Sequence, residues 1–356
     1  MDGLKELARS TFESVQNFKK LENDHRYNVL EVGSFPDGHM SFNEWLVYED
    51  DLASFMTKGP LDGDNNSTAD ASLKLICIQR DLDVTLGVSK TAFMRIISAM
   101  NADPCVLYMI SRDYDGYHEF NGAESPVTVF MGLPRYAVVW VFDRRRMTTR
   151  GLLIERRSGS WPGLRDVLRT YRRYIFTPHL LSFVSCLHTL HFFDRQTNDT
   201  ELQAIRRIED ATGFGRCAES VASTEIAMRV EAGELTRWAL IVGEVQSSAA
   251  NKLRHLKTAR GLLSLIQLEH QTKVADVVAP EFLHRYHRSM EALNEAIPAI
   301  ERQMGTYEEY LVYLKDRAKC VSAVVLALLT RGAAERNTRL TPPHWLTKKL
   351  GPREPE

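Results

Sequence analysis

The spacing of apolar residues changes near residue 160, and this change divides the chain into two parts. In the first part, short apolar runs alternate with turn residues; the clearest are SLKLICIQRD, VTVFMG, YAVVWVFDR and RGLLIERR, preceded by the shorter YNVLEVGSF and EWLVYED. Runs of this length, rich in β-branched and aromatic residues, predict strands, and the last three are close enough to be neighbours in one sheet. SLKLICIQRD is apolar at nearly consecutive positions, which predicts a strand buried on both faces.

Helices and a loop are predicted among these strands. The first residues, MDGLKELARSTFESVQNF, place Leu4, Leu7, Phe12 and Val15 at roughly helical spacing. Ser89 is a favourable N-cap for KTAFMRIISAM, and Asp103-Pro104 should end that helix because the residue before proline disfavours helical geometry. KGPLDGDNNSTAD, at residues 58–70, is dense in turn residues and predicts a mobile loop.

Residues 164–340 have a helical pattern almost throughout. The segments are LRDVLRTYRRYIF, HLLSFVSCLHTLHFF, DTELQAIRRIEDATGFG, and longer runs at residues 233–270, 280–304 and 306–337. The sequence therefore predicts an α+β fold, in which residues 1–160 form a mixed β-sheet head flanked by helices and residues 161–341 form a long-helix bundle or stalk. Residues 342–356 begin with two prolines and are predicted to be a disordered tail.

The most apolar stretch lies near the end of the chain, in CVSAVVLALLTRGAAERNTRL. Its apolar run covers residues 321–329, whereas a membrane-spanning helix needs about 20 mostly apolar residues. Lys319 and Arg331 bound this run closely, and a charge at the bilayer centre costs at least about 2.5 kcal/mol. We therefore predict that the chain does not cross a membrane and that this stretch is a helix buried by protein.

Composition favours an intracellular globular protein without bulk attraction to nucleic acid or acidic lipid. The chain has 356 residues, of which 44% are apolar, and a formal net charge of -1. Its five cysteines are scattered, without a Cys-x-x-Cys pair, which is typical of a reducing compartment. The charged amino terminus lacks the apolar core of a signal peptide. These features predict a cytoplasmic location, with membrane association only where a further carboxyl-terminal segment or a partner supplies the span.

Two pairs of histidines stand one helical turn apart and are candidate metal ligands. They are His188 with His191 in HTLH, and His284 with His287 in HRYH. Neither pair has a carboxylate or cysteine at the usual ligand spacing, and the chain contains 11 histidines. Half-buried histidines on amphipathic helices are the favoured interpretation, and no metal ligand is assigned from the sequence.

No other motif indicates an active site. The acidic segments YEDDLASF and DLD (Asp81 to Asp83) could bind a hard cation through oxygen, but neither has the ligand alternation of a calcium loop, and solvated surface is the usual interpretation. The sequence lacks Gly-x-Ser-x-Gly, a P-loop, His-Glu-x-x-His and a dinucleotide-binding Gly-x-Gly-x-x-Gly. We therefore predict no catalytic residues, no cofactor-binding residues and a protein that is not an enzyme.

Arginines are concentrated between residues 144 and 173, and Tyr171 and Tyr174 accompany the last of them. The arginines are Arg144, Arg145, Arg146, Arg150, Arg156, Arg157, Arg169, Arg172 and Arg173. Arginine with aromatic residues is typical of a phosphate- or RNA-binding face. Acidic residues nearby and in the downstream helices favour instead a role in anchoring the head to the helical part or to a second subunit.

Five segments follow one another in an order that resembles a known family. They are SLKLICIQRD, VSKTAFMRIISAMNADPCVLYMI, RYAVVWVFDRR, the tryptophan in SGSW, and long helices ending in AERNTRL. This order resembles the CorA-like proteins of filamentous fungi, relatives of the CorA magnesium channels. The resemblance implies a cytosolic α/β head and a stalk helix. In the family the stalk continues into two membrane helices joined by Gly-Met-Asn, a motif that this sequence lacks, so we expect a soluble relative without the pore or a polypeptide that ends before it.

The functional prediction is a non-catalytic domain that resembles the cytosolic part of a CorA-like divalent metal ion transporter. Its expected role is regulatory or assembly-related, without a pore of its own, and Mg²⁺ is the ligand that the resemblance implies. The apolar seam in TYEEYLVYLKDRAKCVSAVVLALL exceeds what one surface helix needs, so we expect self-association through the long helices. Two alternatives stay open: an intracellular protein-interaction scaffold, and an RNA- or phosphate-binding module that uses the arginines at positions 144–173.

Overall fold

The computed structural model describes residues 2–19, 21–22, 24–59, 68–120, 126–214, 230–271 and 278–340. Within these ranges it confirms the predicted α+β class. The strands are β1 (Arg26–Ser34), β2 (Met40–Tyr48), β3 (Ala71–Gln79), β4 (Gly116–Phe120), β5 (Val127–Gly132), β6 (Tyr136–Asp143) and β7 (Thr148–Glu155). The helices are α1 (Asp2–Val15), α2 (Leu52–Thr57), α3 (Lys90–Met100), α4 (Cys105–Ser111), α5 (Ser160–Tyr171), α6 (Leu180–Gln196), α7 (Leu202–Thr212), α8 (Ala232–Gln271) and α9 (Pro280–Leu340).

The strands form one mixed sheet in the order β2-β1-β3-β7-β6-β5-β4. β3 and β7 are parallel, in register from Ser72 opposite Thr148 to Gln79 opposite Glu155, and the other neighbouring strands are antiparallel. β5, β6 and β7 are neighbours, as their short connections predicted. Because parallel strands cannot be joined by a tight turn, the chain between β3 and β7 forms a long crossover that contains α3, α4 and the strands β4 to β6.

Spatial contacts group the chain into two compact units, each built from two separate stretches of sequence. The first unit comprises Met1–His191 and His255–Met304, and the second comprises Phe192–Arg254 and Gly305–Glu356. Helices α6, α8 and α9 therefore contribute residues to both units. These units are defined by spatial contacts. The domain boundary near residue 160 was predicted from the spacing of apolar residues, and it stays a prediction.

In the first unit, helices cover both faces of the sheet. On one face, Val29, Ile76 and Leu152 lie side by side on β1, β3 and β7 and share a core with buried side chains of α1 to α4. On the other face, the indole nitrogen of Trp140 donates to the carbonyl oxygen of Pro178, just before α6, at 2.9 Å. Residues 71–78 of β3 are all buried, which confirms the prediction of a strand covered on both sides.

The start and end of α3 follow local sequence signals. The hydroxyl of Ser89 accepts a hydrogen bond from the backbone nitrogen of Ala92 at 3.2 Å, which confirms the predicted N-cap. Asn101 adopts a left-handed conformation (φ 57°) and terminates the helix before Asp103-Pro104. The predicted apolar face, which includes Phe93 and Ile96, is buried. Helical spacing and capping chemistry are therefore sufficient to place this helix.

The core of the second unit joins side chains from α7, α8 and α9. They are Leu202, Ile205, Ile208, Leu235, Trp238, Val242, Val245, Leu314, Ala318, Val321 and Val325. Val321 and Val325 belong to the most apolar stretch of the sequence, which is thus packed against protein as predicted. In the described parts of the chain, no helix combines the length and apolarity that crossing a membrane requires.

Three local features differ from the sequence pattern. In α1, Phe12 is buried but Leu4 and Leu7 are 60% and 56% exposed, because periodicity does not reveal which apolar side chains reach the core. Strand β4 was not predicted, because GYHEF lacks the apolar run of the other strands, and it is recognised by its pairing with β5. Pro298 lies inside α9, which joins two segments that the sequence analysis separated.

Most of the predicted loop at 58–70 and all of the predicted tail lie outside the described residues.

Replacement of Gly132 by Ala is expected to destabilise the first unit strongly. A Cβ at this position would lie 1.9 Å from the carbonyl oxygen of Tyr114, so the backbone would have to move. We expect a loss of about 3 kcal/mol or more in urea unfolding, at the upper end of overpacking costs. Gly305→Ala, at a helical position with open space around the new Cβ, should instead leave stability unchanged or raise it by up to about 1 kcal/mol. Equal stabilities for the two variants would contradict this account.

Candidate functional site

The carboxyl ends of the parallel strands β3 and β7 are the candidate site that the sheet topology indicates. After β3 the chain passes to α3, which packs in the core that contains Ile76. After β7 the chain passes to α5 on the opposite face of the sheet, where the indole nitrogen of Trp161 donates to Glu44 of β2 at 2.7 Å. Connections that leave neighbouring parallel strands toward opposite faces open a crevice where ligands bind in many α/β proteins. The residues at this crevice decide what it can hold.

A carboxylate of the protein itself occupies the start of α5. Glu155, at the end of β7, is buried, and its Oε1 accepts hydrogen bonds from the backbone nitrogens of Ser160 (2.6 Å) and Trp161 (2.8 Å). Gly159 precedes the helix in a left-handed conformation (φ 88°), which glycine adopts without strain. Because free N–H groups at a helix start attract anions, Glu155 fills the position that a phosphate group would take.

Two arginines and two aspartates form a network beside Glu155. Asp113 Oδ1 lies 3.0 Å from Arg80 Nη1 and 2.6 Å from Arg156 Nε, while Arg156 Nη1 lies 2.5 Å from Asp115 Oδ1. Arg156 also donates to the carbonyl oxygens of Leu133 and Tyr114, each at 2.7 Å. Burial lowers the pKa of Arg80, and Asp113 opposes that shift. The network fastens the turn between α4 and β4 to the sheet, so these charges hold structure.

The structure distributes the predicted arginines over the turn before β7, β7 itself, the residues after β7 and the region at the end of α5. Arg156 and Arg157 follow β7, whereas Arg144, Arg145 and Arg146 lie in the turn before it. The eight residues of β7 place roughly 25 Å between its ends. On α5, Arg165 pairs with Glu44 at 3.1 Å, and the guanidinium of Arg169 lies 4.8 Å from the ring centre of Phe42. Several of these arginines thus contact the protein itself, and nucleic-acid binding by the cluster stays a prediction.

The histidine pairs are placed differently from one another. His188 is buried, and its Nδ1 lies 3.1 Å from the hydroxyl of Tyr136, whereas His191 on the same helix is exposed. His284 and His287 are both exposed on α9. Among the described residues, no group of three or more His, Cys, Asp or Glu side chains is arranged to hold a metal ion. Metal ligands therefore stay unassigned.

The predicted acidic segments take part in local structure. Glu49 Oε2 accepts hydrogen bonds from the backbone nitrogen of Ser89 (3.0 Å) and from the hydroxyl of Tyr27 (3.1 Å), so it links the end of β2 to the start of α3. Asp83 Oδ1 accepts from the backbone nitrogen of Thr85 at 3.1 Å, and this bond is the main reason that the pKa of Asp83 is lowered. Both carboxylates act as turn and cap residues here.

The second unit contains a buried polar cluster that the sequence analysis missed. Lys252 Nζ lies 2.8 Å from both carboxylate oxygens of Glu201 and donates to the hydroxyl of Thr197 at 2.7 Å. Ser248 donates to Glu201 at 2.6 Å, and the hydroxyls of Thr197 and Tyr307 are 2.5 Å apart. Burial lowers the pKa of Lys252 and raises that of Tyr307.

A π-helical turn, Thr197–Glu201, supplies two members of this cluster. Such turns shift the helical register by one residue and occur often at functional positions. The sequence did contain a signal: Ala249, Lys252 and Leu256 fall on one face of α8, and all three are buried, so Lys252 is a charged residue in phase with apolar ones. Each charged group has partners inside the protein, which is the arrangement expected of a structural ion pair.

No protein-family model matches this sequence, and no curated protein matches it significantly. The CorA-like family therefore stays a prediction from the order of sequence segments.

Removing Lys252 alone should be far more damaging than removing the pair. Lys252→Met leaves the buried carboxylate of Glu201 without its cation, at an expected cost of about 3–5 kcal/mol in chemical denaturation. The double variant Lys252→Met, Glu201→Leu should recover most of that loss because no buried charge remains. Lys257→Met, at an exposed position of α8, is the control and should change stability by about 0.5 kcal/mol or less. Additive losses in the double variant would show that the two side chains are not coupled.

Stability should fall between pH 6.5 and pH 4 because of His188. Burial, followed by the charges of Arg135 and His191, lowers the pKa of His188 from 6.5 to about 4. The unfolded chain therefore binds a proton in this window that the folded protein excludes, so stability is complete above pH 6.5 and decreases as the pH drops, by on the order of 3 kcal/mol. His188→Gln should flatten this part of the pH profile of unfolding free energy, whereas His287→Gln, at an exposed site, should not. An unchanged profile in His188→Gln would contradict the assignment.

Proposed function

We propose that this chain is a non-catalytic regulatory or assembly protein similar to the cytosolic part of CorA-like magnesium transporters. The observation that supports this most is the combination of a mixed seven-stranded sheet with the 61-residue helix α9. These are the two elements, a head and a stalk helix, that the resemblance implies. A cytoplasmic location is part of the proposal.

The long helices support an assembly role. α8 has 40 residues and α9 has 61, which corresponds to about 90 Å of helix for α9. Leu314 of α9 belongs to the core of the second unit, but Val312, Tyr313 and Leu326 are 49%, 51% and 55% exposed. Large apolar side chains exposed on a long helix favour association with another helix. In this proposal, the exposed side of α9 contacts sister subunits.

The state of the titratable groups supports a non-catalytic role. Arg156, at the carboxyl end of β7, and Lys252, in the second unit, are buried charges that are bonded to other groups of the protein. A catalytic acid, base or nucleophile must instead be able to reach a substrate. In this proposal, the ion pairs of Arg156 and Lys252 hold segments of the fold together and do not take part in catalysis.

Magnesium would act at the contacts between subunits. Mg²⁺ prefers oxygen ligands in an octahedral arrangement and keeps several waters, so it can bridge carboxylates from different chains. The described residues of one chain contain no cluster of three or more candidate metal ligands, and in this proposal the site is completed by association.

Light scattering with and without millimolar Mg²⁺ tests this role. We expect an oligomer whose mass or stability increases with Mg²⁺, and dissociation in Leu326→Asp because a charge would lie in the contact. Leu82→Asp is the matched control, since Leu82 is 97% exposed in the loop after β3 and should leave the oligomer intact. A wild-type chain that is strictly monomeric and indifferent to divalent ions would overturn the proposal.

A further inference from the structure

β2 is an edge strand of the sheet, and one of its sides has no strand partner among the described residues. The strand order places β2 at one end with β1 as its neighbour, and in the described parts of the chain no other strand pairs with it. An edge strand presents a row of unpaired N–H and C=O groups, to which an extended segment of another chain can add. Residues 43–46, in the middle of β2, are all exposed.

The features that usually prevent pairing at sheet edges are missing from β2. Protective edges are short or carry lysine or proline, but β2 has nine residues, MSFNEWLVY, with neither. It exposes Trp45, Leu46 and Tyr48 at 38%, 51% and 44%. Its charged residue, Glu44, is bonded to Trp161 and Arg165. The opposite edge strand, β4, differs because it has five residues, all of them half-buried.

Two adjoining cavities lie at the carboxyl end of β2. Their volumes are about 200 Å³ and 640 Å³, and both are lined by Glu22 and His25. The smaller one also includes Tyr48 and Asp50, and the larger one includes Leu46. Leu46 and Tyr48 are also exposed residues of β2, so the cavities adjoin the carboxyl end of this edge strand.

The cavities are lined by more carboxylates than cations, and three of these carboxylates have no cationic partner among the described residues. Lys19 lies 4.0 Å from Asp81, and Arg26 lies over the ring of Tyr48 at 4.8 Å, so both cations already have partners. The carboxylates of Glu22, Asp24 and Asp50, which line the cavities, are exposed and form no ion pair with any described residue. Carboxylates beside aromatic rings bind ammonium and guanidinium groups through charge and cation–π attraction.

We propose that β2 and these cavities form a docking site for an extended, basic segment of a partner protein. The segment adds to the sheet beside β2 and places an arginine or lysine among Glu22, Asp24 and Asp50. A second copy of this chain is a poorer occupant, because β2 contains no basic residue and pairing of two β2 strands would leave the carboxylates without a cation. This site is separate from the exposed side of α9 and does not depend on the proposed magnesium role.

Selection of peptides on the full chain tests the docking site. The probe is a random twelve-residue phage-displayed library, followed by fluorescence polarisation with the selected peptides after synthesis. We expect alternating β-branched residues with at least one arginine or lysine, and about tenfold weaker binding to the Glu22→Gln, Asp50→Asn variant. Asp37→Asn is the matched control: Asp37 is exposed in the turn before β2, at its other end, and the change should leave affinity unaltered.

Backbone N-methylation of the peptides tests strand addition separately. Peptides methylated on one set of alternate residues should lose binding, while those methylated on the other set should keep it, because only one edge of an added strand pairs with β2. Failure to select basic peptides, equal binding to the carboxylate variant, or indifference to both methylation patterns would overturn the proposal. Self-association that the carboxylate variant abolishes would show that the occupant is a second copy.

Discussion

The parallel pairing of β3 and β7 is the constraint on which the first unit depends. Parallel strands require a crossover connection, and this one contains α3, α4 and the strands β4 to β6. Because helices then lie on both faces, residues 71–78 of β3 are all buried, and residues 75–78 are apolar without interruption. The same pairing places the end of β3 next to that of β7, where Glu155 and Arg156 meet the turn after α4. The network of Arg80, Arg156, Asp113 and Asp115 at the carboxyl ends of these strands is therefore a consequence of the topology.

The buried cations Lys74, Lys252 and Arg156 each contact several acceptor groups of the protein. Lys74 on β3 is 3% exposed; its Nζ lies 3.0 Å from Glu31 and donates to the carbonyl oxygens of Phe55 and Lys58, so it holds the end of α2. Burial lowers the pKa of Lys74, and Glu31 opposes the shift. Lys252 and Arg156 follow the same rule with other partners. Since an unpaired buried charge is very costly, each group fixes the position of the segments that contact it.

Local signals in the sequence were sufficient for part of the fold. The apolar run of β3 and the hydroxyl of Ser89 each determine their element through neighbouring residues, and both predictions were confirmed. β4, the pairing of Arg80 with Asp113, and the position of Lys252 depend on residues far apart in the chain, so spacing alone could not reveal them. The docking site is of this second kind, because its carboxylates meet the exposed part of β2 only after β1 and β2 have paired.

The composition of the first unit has a consequence for biosynthesis. Its core needs residues 255–304, since Thr177 bonds to Met290 and the carbonyl oxygen of Ala259 accepts from Cys186. Most domains can fold as soon as their own continuous stretch leaves the ribosome. Here residues 1–191 are synthesised well before residues 255–304, so the side chains that pack against the later residues have to wait for them. The nascent chain is therefore expected to need protection by chaperones until α8 and the first half of α9 have emerged.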